Sequence, residues 1–316
     1  MNGVRRCWRD LGDLVLPGEC AGCGRARTVL CAECREELSG RSARWVRPVA
    51  ATAGLPPVCA AGPYAGAVRE VLLAHKERGA LGLVGALGAG LAQAVRVGVG
   101  GVLDAEAEGD AVRGARGVGE RPARAGGVRA EGPGVSAGGG GVWGEGLGVP
   151  GGALGREPAG GGGVLIVPVP SARWAVRARG HDPVRRVALV AAGVLRRGGV
   201  DVRVAAVLRQ RAGVRDQAGL GPRERRENLA GALRVGGAGA RVLRGRAVVL
   251  VDDVVTTGAS LAEAARVVGE ACEGGGEEVS GDIAQAGPDR VERRRRGVLC
   301  AAVVAGSPDS FEINRN

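Results

Sequence analysis

Aromatic residues are nearly missing from this chain: they make up 2% of its 316 residues, with Phe and Tyr once each. That excludes the usual single-strand nucleic-acid platform, on which successive bases stack on exposed rings. Lysine occurs once, as Lys76, so a formal charge of +11 rests almost wholly on arginine. Such a balance suits polyphosphates or nucleic acid. The dominance of Gly (60 residues), Ala, Val and Arg also reads as a high-G+C coding sequence, which weakens the functional meaning of the charge. An apolar core is missing near the amino terminus, where Arg5, Arg6, Arg9, Asp10 and Asp13 stand in place of a cleavable signal. A cytoplasmic protein is expected. Long hydrophobic runs are missing too. The uncharged, apolar stretch 79–95 is too short and too glycine-rich to insert into a bilayer and reads as a buried core helix.

What cysteine there is falls in a pattern, with four of the eight spaced as Cys20-x2-Cys23-x7-Cys31-x2-Cys34. Two such knuckles bring four thiolates within reach of a tetrahedral Zn2+, which small ribbons use in place of a hydrophobic core. A closed four-thiolate shell has no open coordination position, so the expected metal is structural. Disulfides and redox-active thiols are the alternatives, and an intracellular chain disfavours the first. Cys7, Cys59, Cys272 and Cys300 lack such spacing and read as small buried hydrophobes, or, for Cys7 and Cys59, as remnants of a second site.

The most informative stretch is 246–262. Five strand-forming apolar residues, 247–251, empty into Asp252 and Asp253 and then into a turn, Thr256-Thr257-Gly258. A helical pattern begins at once with Leu261, Ala264, Ala265 and Val268, and Ser260 with Glu263 has the S-x-x-E form of a capping box. Unpaired N–H groups and the dipole at a helix start make an anion site, and a turn carrying Thr256, Thr257 and Gly258 lets backbone and hydroxyls approach a phosphate. Two carboxylates can accept hydrogen bonds from a vicinal diol. The implied ligand is a phosphorylated sugar; an acid pair with a metal, or solvated charges capping a strand, are the plainer alternatives. Four apolar residues, two acids, two variable residues and Thr-Thr-Gly in this order resemble the phosphoribosyl-pyrophosphate (PRPP) motif of the type I phosphoribosyltransferases.

Upstream, 64–95 has helical periodicity and holds His75-Lys76-Glu77-Arg78, either a solvated helix end or a catalytic pair. From 98 to 163 the pattern dissolves into Gly, Ala, Arg and Glu, a composition that buries too little apolar area to offset chain entropy and reads as a flexible insertion. Its Gly-x-Gly fragments are followed by no Lys and make no Walker loop. Trp143 is the one residue there suited to docking. Order returns with a buried-strand pattern at 164–169 and an arginine-rich loop through Ser171, Arg173, Arg177, Arg179 and Gly180. A helix follows, with Asp182 at its N-cap and Pro183 in its first turn. Strands at 202–208, 247–251 and 298–304, alternating with helices, argue for a parallel sheet that binds ligands at the carboxyl ends of its strands.

The PRPP stretch, the Val167-Pro168-Val169-Pro170 strand with its arginine loop, and the cysteine knuckles occur in an order that resembles the ComF family, proteins related to competence for DNA uptake. Further agreement lies in Tyr64 leading to His75-Lys76, in Arg179-Gly180, in Gln217 with Leu220, in Glu224-Arg225 with Asn228, and in the ending SFEINRN. The resemblance covers 14–98 and 164–316. It implies an α/β fold: a type I phosphoribosyltransferase-like parallel sheet flanked by helices, preceded by a small four-cysteine zinc ribbon. The chain would divide into a ribbon at 1–58, a helical segment or hood at 59–98, the Gly-rich insertion at 99–163 and a phosphoribosyltransferase-like domain at 164–316. Asp252 and Asp253 would hold the ribose hydroxyls, and Val254, Val255, Thr256, Thr257, Gly258, Ala259 and Ser260 would enclose the 5′-phosphate. Ser171, Arg173, Arg177, Arg179 and Gly180 would face the pyrophosphate, and a flexible flap with Gln217, Arg225 and Asn228 would close over them. The chain departs from the family in having only Cys59 where a second cysteine pair often follows, so one metal is expected. Residues 273–296 are rich in glycine and charge where a compact connection is expected, and 293–296 read as a solvated loop or a basic patch.

Two functions follow from the resemblance. One is transfer of phosphoribosyl from PRPP, with Mg2+, to an unidentified acceptor; no general base is assigned, since only some acceptors need one. The other is a non-catalytic accessory protein of DNA uptake that binds nucleotide or single-stranded DNA. Acceptor and oligomeric state have no signature in the sequence.

Overall fold

The computed structural model describes residues 18–116, 163–211, 231–273 and 297–311, with side chains for all but 103–116 and Arg173. Cys7, Trp143, the arginine run at 293–296 and the flap residues Gln217, Arg225 and Asn228 lie outside the described residues. In chain order the elements are α1 (Ala32–Glu37), β1 (Arg44–Val46), β2 (Val58–Pro63), α2 (Gly66–Glu77), α3 (Val84–Arg116), β3 (Val164–Pro168), α4 (Arg173–Arg179), α5 (Pro183–Arg197), β4 (Val202–Val204), β5 (Leu208–Gln210), β6 (Leu233–Val235), α6 (Gly239–Leu243), β7 (Ala247–Val255), α7 (Ala259–Glu273) and β8 (Gly297–Gly306).

Six strands form one sheet in the order β1-β2-β8-β7-β3-β4, and β5 pairs with β6 in a second, two-stranded sheet. Among the described strands of the large sheet, only the β1–β2 pair is antiparallel. The central strands are continuous apolar runs because both of their faces are covered. Ile166, Val249, Val251, Cys300 and Ala302 point into a core shared with α3 and α5, while Leu165, Val167, Val248, Leu250, Ala301 and Val303 pack against α7. The result is an α/β sandwich of three layers with helices on each face. Each fully buried Leu in it, such as Leu250 or Leu261, contributes about 1.5–3 kcal/mol.

Several elements differ from their sequence expectation for identifiable reasons. The stretch 202–208 divides, because Ala205 N–H makes the last bond to Ile166 O and Val207 N–H then turns back to Ala205 O, sending β5 to a different sheet. The arginine loop contains a helix, α4, since Ala and Arg are good helix formers, and it ends where Gly180, at φ 79°, donates to Val176 O. Helix α3 continues past residue 98 to Arg116, through Leu103, Ala105, Glu106 and Ala107, which favour that conformation. The segment 81–102, which leads into α3 and includes its first part, is long and apolar enough to cross a membrane, but 61% of the most apolar window is buried within the fold, as befits a core helix.

Candidate functional site

Connections leave β3 and β7 in opposite directions across the sheet: β3 leads through α4 and α5 to β4, and β7 leads through α7 to β8. Between the carboxyl ends of two such strands the polypeptide opens a crevice, the usual ligand position of an open parallel sheet. A cleft of about 370 Å³ lies there. One wall comes from the residues after β3, namely Val169, Pro170, Ser171, Trp174 and Arg179, and the other from the whole run Asp252 to Leu261.

The acid pair stands inside β7, which the sequence ends at Val251. Pairing with β8, with Asp252 opposite Val303 and Val254 opposite Ala305, holds the strand through Val255. Asp252 accepts from the backbone N–H of Asp253 at 2.8 Å. Burial first, then the charge of Asp253, push the Asp252 carboxyl up to about 8 despite Lys76. Lys76, at the carboxyl end of α2, places Nζ 2.7 Å from Asp253 Oδ2. Burial lowers the Lys76 pKa, but the pull of Asp253 outweighs burial and the opposing charge of Arg179, so the ammonium is held above its ordinary range.

Behind Lys76 lie the chain's two histidines, with ring centroids 5.8 Å apart. His75 is buried, and neither of its ring nitrogens has a hydrogen-bond partner among the described residues. Burial lowers its pKa, against the opposing effect of the Ala80 and Pro183 backbone. His181 Nδ1 meets Arg179 O at 3.3 Å.

After β7 the turn Thr256-Thr257-Gly258 delivers the chain into α7. Ala262 N–H donates to Gly258 O at 2.8 Å, which makes Gly258 the N-cap. Gly258 has φ 75°, and a Cβ there would lie 2.6 Å from both Cδ atoms of Leu55. The Ser260–Glu263 capping box does not form, because the Glu263 carboxylate is gripped at both oxygens by Arg266. The first N–H groups of α7 thus remain for the cleft, beside the hydroxyls of Thr256, Thr257 and Ser260. Thr257 O accepts from Thr52 N at 3.0 Å and from Thr52 Oγ1 at 3.1 Å.

On the opposite wall, Ser171 Oγ donates to Asp182 Oδ1 at 3.3 Å, and the same oxygen caps α5 through Arg185 N–H. Ser171 and Arg179 line the cleft, whereas Arg177 and Gly180 do not. Trp174 also lines it, 53% exposed. Lys76, Ala172, Ala175, Val184, Gln210 and Leu233 complete the lining, and Thr52 and Leu55 pack against the turn from outside it. No local sequence pattern announces Trp174, Gln210, Leu233, Thr52 or Leu55, whereas Lys76 stands out as the sole lysine and as one of the His75-Lys76 pair.

The four cysteines converge at the amino-terminal end. Their Sγ atoms all lie within 4.8 Å of one another, and Cys23 and Cys31 are 3.6 Å apart. A tetrahedral Zn2+ with bonds of about 2.3 Å needs sulfur separations of about 3.8 Å, so the set fits a single divalent ion. All four thiols are free. The cluster folds locally: Gly24 N–H closes the first knuckle onto Cys20 O, Cys31 N–H donates to Cys20 Sγ at 3.3 Å, and α1 starts immediately after Cys31. Burial raises the Cys20 thiol, but N–H donors from Cys31, Cys23 and Gly22 outweigh it and bring the group to about 6. Burial and the neighbouring cysteines instead push Cys34 far up, so four thiolates need a cation among them. Cys20, Cys31 and Cys34 belong to the same core as Ala67, Val68 and Val71 of α2. Comparison with protein-family models, with curated proteins and with solved structures gave no match.

Proposed function

We propose that the cleft binds PRPP, or a ribose 5-phosphate nucleotide, and that the protein transfers phosphoribosyl to an acceptor. The observation that carries this reading is the presence of two carboxylates, a hydroxyl-rich turn and a helix N-terminus in one cleft at the crossing point of the sheet. In it, Asp252 and Asp253 accept hydrogen bonds from the ribose diol. The N–H groups of α7 and the hydroxyls of Thr256, Thr257 and Ser260 hold the 5′-phosphate. Ser171 and Arg179 face the diphosphate at C1. Mg2+ typically takes one or two carboxylates together with substrate phosphates, which the acid pair and the ligand can supply, and when bound it neutralises the departing charge. The cysteine cluster is proposed to hold one structural Zn2+, which predicts one zinc per chain by elemental analysis.

The test is Mg2+-dependent release of pyrophosphate from PRPP, assayed with a panel of nucleobases and amines. The wild type is expected to turn over with at least one of them, and Asp252→Asn/Asp253→Asn with none. A wild type that binds PRPP yet releases pyrophosphate with no acceptor overturns transfer. A wild type that neither PRPP nor ribose 5-phosphate stabilises against heat overturns the ligand itself; saturation at a hundredfold Kd should add about 2.7 kcal/mol.

A further inference from the structure

Lys76 reaches Asp253 from a half-open position: its side chain is 38% exposed, whereas that of Asp253 is 13% exposed. Arg179 and the Thr-Thr-Gly turn line the same cleft. Every other strongly basic side chain in the protein is arginine. The difference matters at a carboxylate. A guanidinium grips it with two parallel bonds in a fixed fork, while an ammonium on a four-carbon stem is a point charge with three donors that changes partner by rotating its stem.

Resting on the ribose-phosphate reading above, we propose that Lys76 is an exchangeable counter-ion. In the free cleft it neutralises Asp253. When a ribose diol takes the Asp253 oxygen, the ammonium passes to the diphosphate at C1. The acid stays hydrogen-bonded throughout and the ammonium exchanges one anion for another, so neither group is left buried without a partner. The arrangement selects sugar 5-phosphates that carry a second anionic group at C1 over those that do not. A purely structural ion pair has the opposite consequence. Removing its lysine frees Asp253 for the diol and tightens every ribose ligand alike.

The experiment is calorimetric titration of the full chain with PRPP, ribose 5-phosphate and inorganic pyrophosphate, each with Mg2+, on wild type, Lys76→Gln and Lys76→Arg. Lys76→Gln is expected to weaken PRPP and pyrophosphate by about tenfold or more and ribose 5-phosphate by less than about threefold, with Lys76→Arg recovering part of the loss. Reductive 13C-methylation keeps the charge and labels Lys76 as the sole ε-amine, and PRPP is expected to move its resonance. That labelled wild type decides the matter if the variants do not fold. Equal or tighter PRPP binding by folded Lys76→Gln, or a methyl-lysine resonance that PRPP leaves in place, overturns the exchange while leaving the ribose-phosphate site intact. A wild type that binds neither PRPP nor ribose 5-phosphate overturns both.

Discussion

Burial and the charge of Asp253 raise the Asp252 carboxyl from an ordinary 3.8 to about 8, so the folded chain keeps a proton that the unfolded chain releases. Protein stability therefore falls as pH rises from about 4 to about 8, because in that window the folded state binds more protons than the unfolded one. Asp252→Asn retains an acceptor for the Asp253 N–H and removes the titration. The variant is expected to melt higher than wild type at pH 8, by roughly 3 °C or more, with the gap closing toward pH 4. Above pH 8, where the Asp252 carboxyl is ionised, its PRPP affinity should drop about tenfold or more, since hydrogen bonds to charged groups contribute about 1.5–3 kcal/mol. Melting curves across pH check the first statement and titration the second; a variant that melts lower at pH 8 refutes the linkage. A group that lowers stability at a cleft suits a binding role better than a structural one. Asp252, Asp253 and the turn were legible because they are contiguous in sequence. Lys76 was legible as the sole lysine and as one of the His75-Lys76 pair, though not as the partner of Asp253, and Thr52 not at all, because its partner Thr257 lies 205 residues away.

Helix α2 ties the cysteine cluster to the cleft. Its amino-terminal half, Ala67, Val68 and Val71, shares a core with Cys20, Cys31 and Cys34, and its last turn carries His75 and Lys76. Stripping the metal, or Cys34→Ser, is expected to lower Tm and also to weaken PRPP binding, although no cysteine among the described residues lines the cleft. Titrations before and after chelation and zinc repletion test this; unchanged PRPP affinity in folded, stripped protein would refute the link. The turn after β7 makes a sharper prediction. Gly258→Ala forces a side chain into a left-handed conformation against Leu55 and should cost about 1–3 kcal/mol, read as a lower urea midpoint at unchanged slope, with weaker PRPP binding. Strands β3 and β7 were legible as apolar runs. The extension of β7 through two carboxylates was not, since Asp disfavours strands and only pairing to β8 holds it there. Helix α4 was obscured by its arginines.

At the scale of the whole molecule, alternating strands and helices in 164–304 announced the parallel sheet, but the strands that complete it come from before residue 64. Strands β1 and β2 are short, and β2 is bounded by proline and rich in Ala and Gly, so nothing local marks them as partners of β8. Their insertion makes the two halves of the chain interdependent. Without 1–116, β8 has an unpaired edge, and the apolar faces of Cys300, Ala302 and Val304 on β8 and of Ala188 and Ala191 on α5 lose α3. Residues 164–316 expressed alone are accordingly expected to aggregate or to melt without cooperativity, and co-expression with 1–116 to restore a soluble complex. The full chain should unfold in one transition, with calorimetric and van't Hoff enthalpies that agree. A soluble, cooperatively melting 164–316 fragment, or two separate transitions in the full chain, would mean that the β2–β8 pairing is peripheral. The cleft, whose Lys76 comes from one half and whose acids come from the other, would then have to assemble across a loose contact, and PRPP binding would survive in a simple mixture of the two fragments.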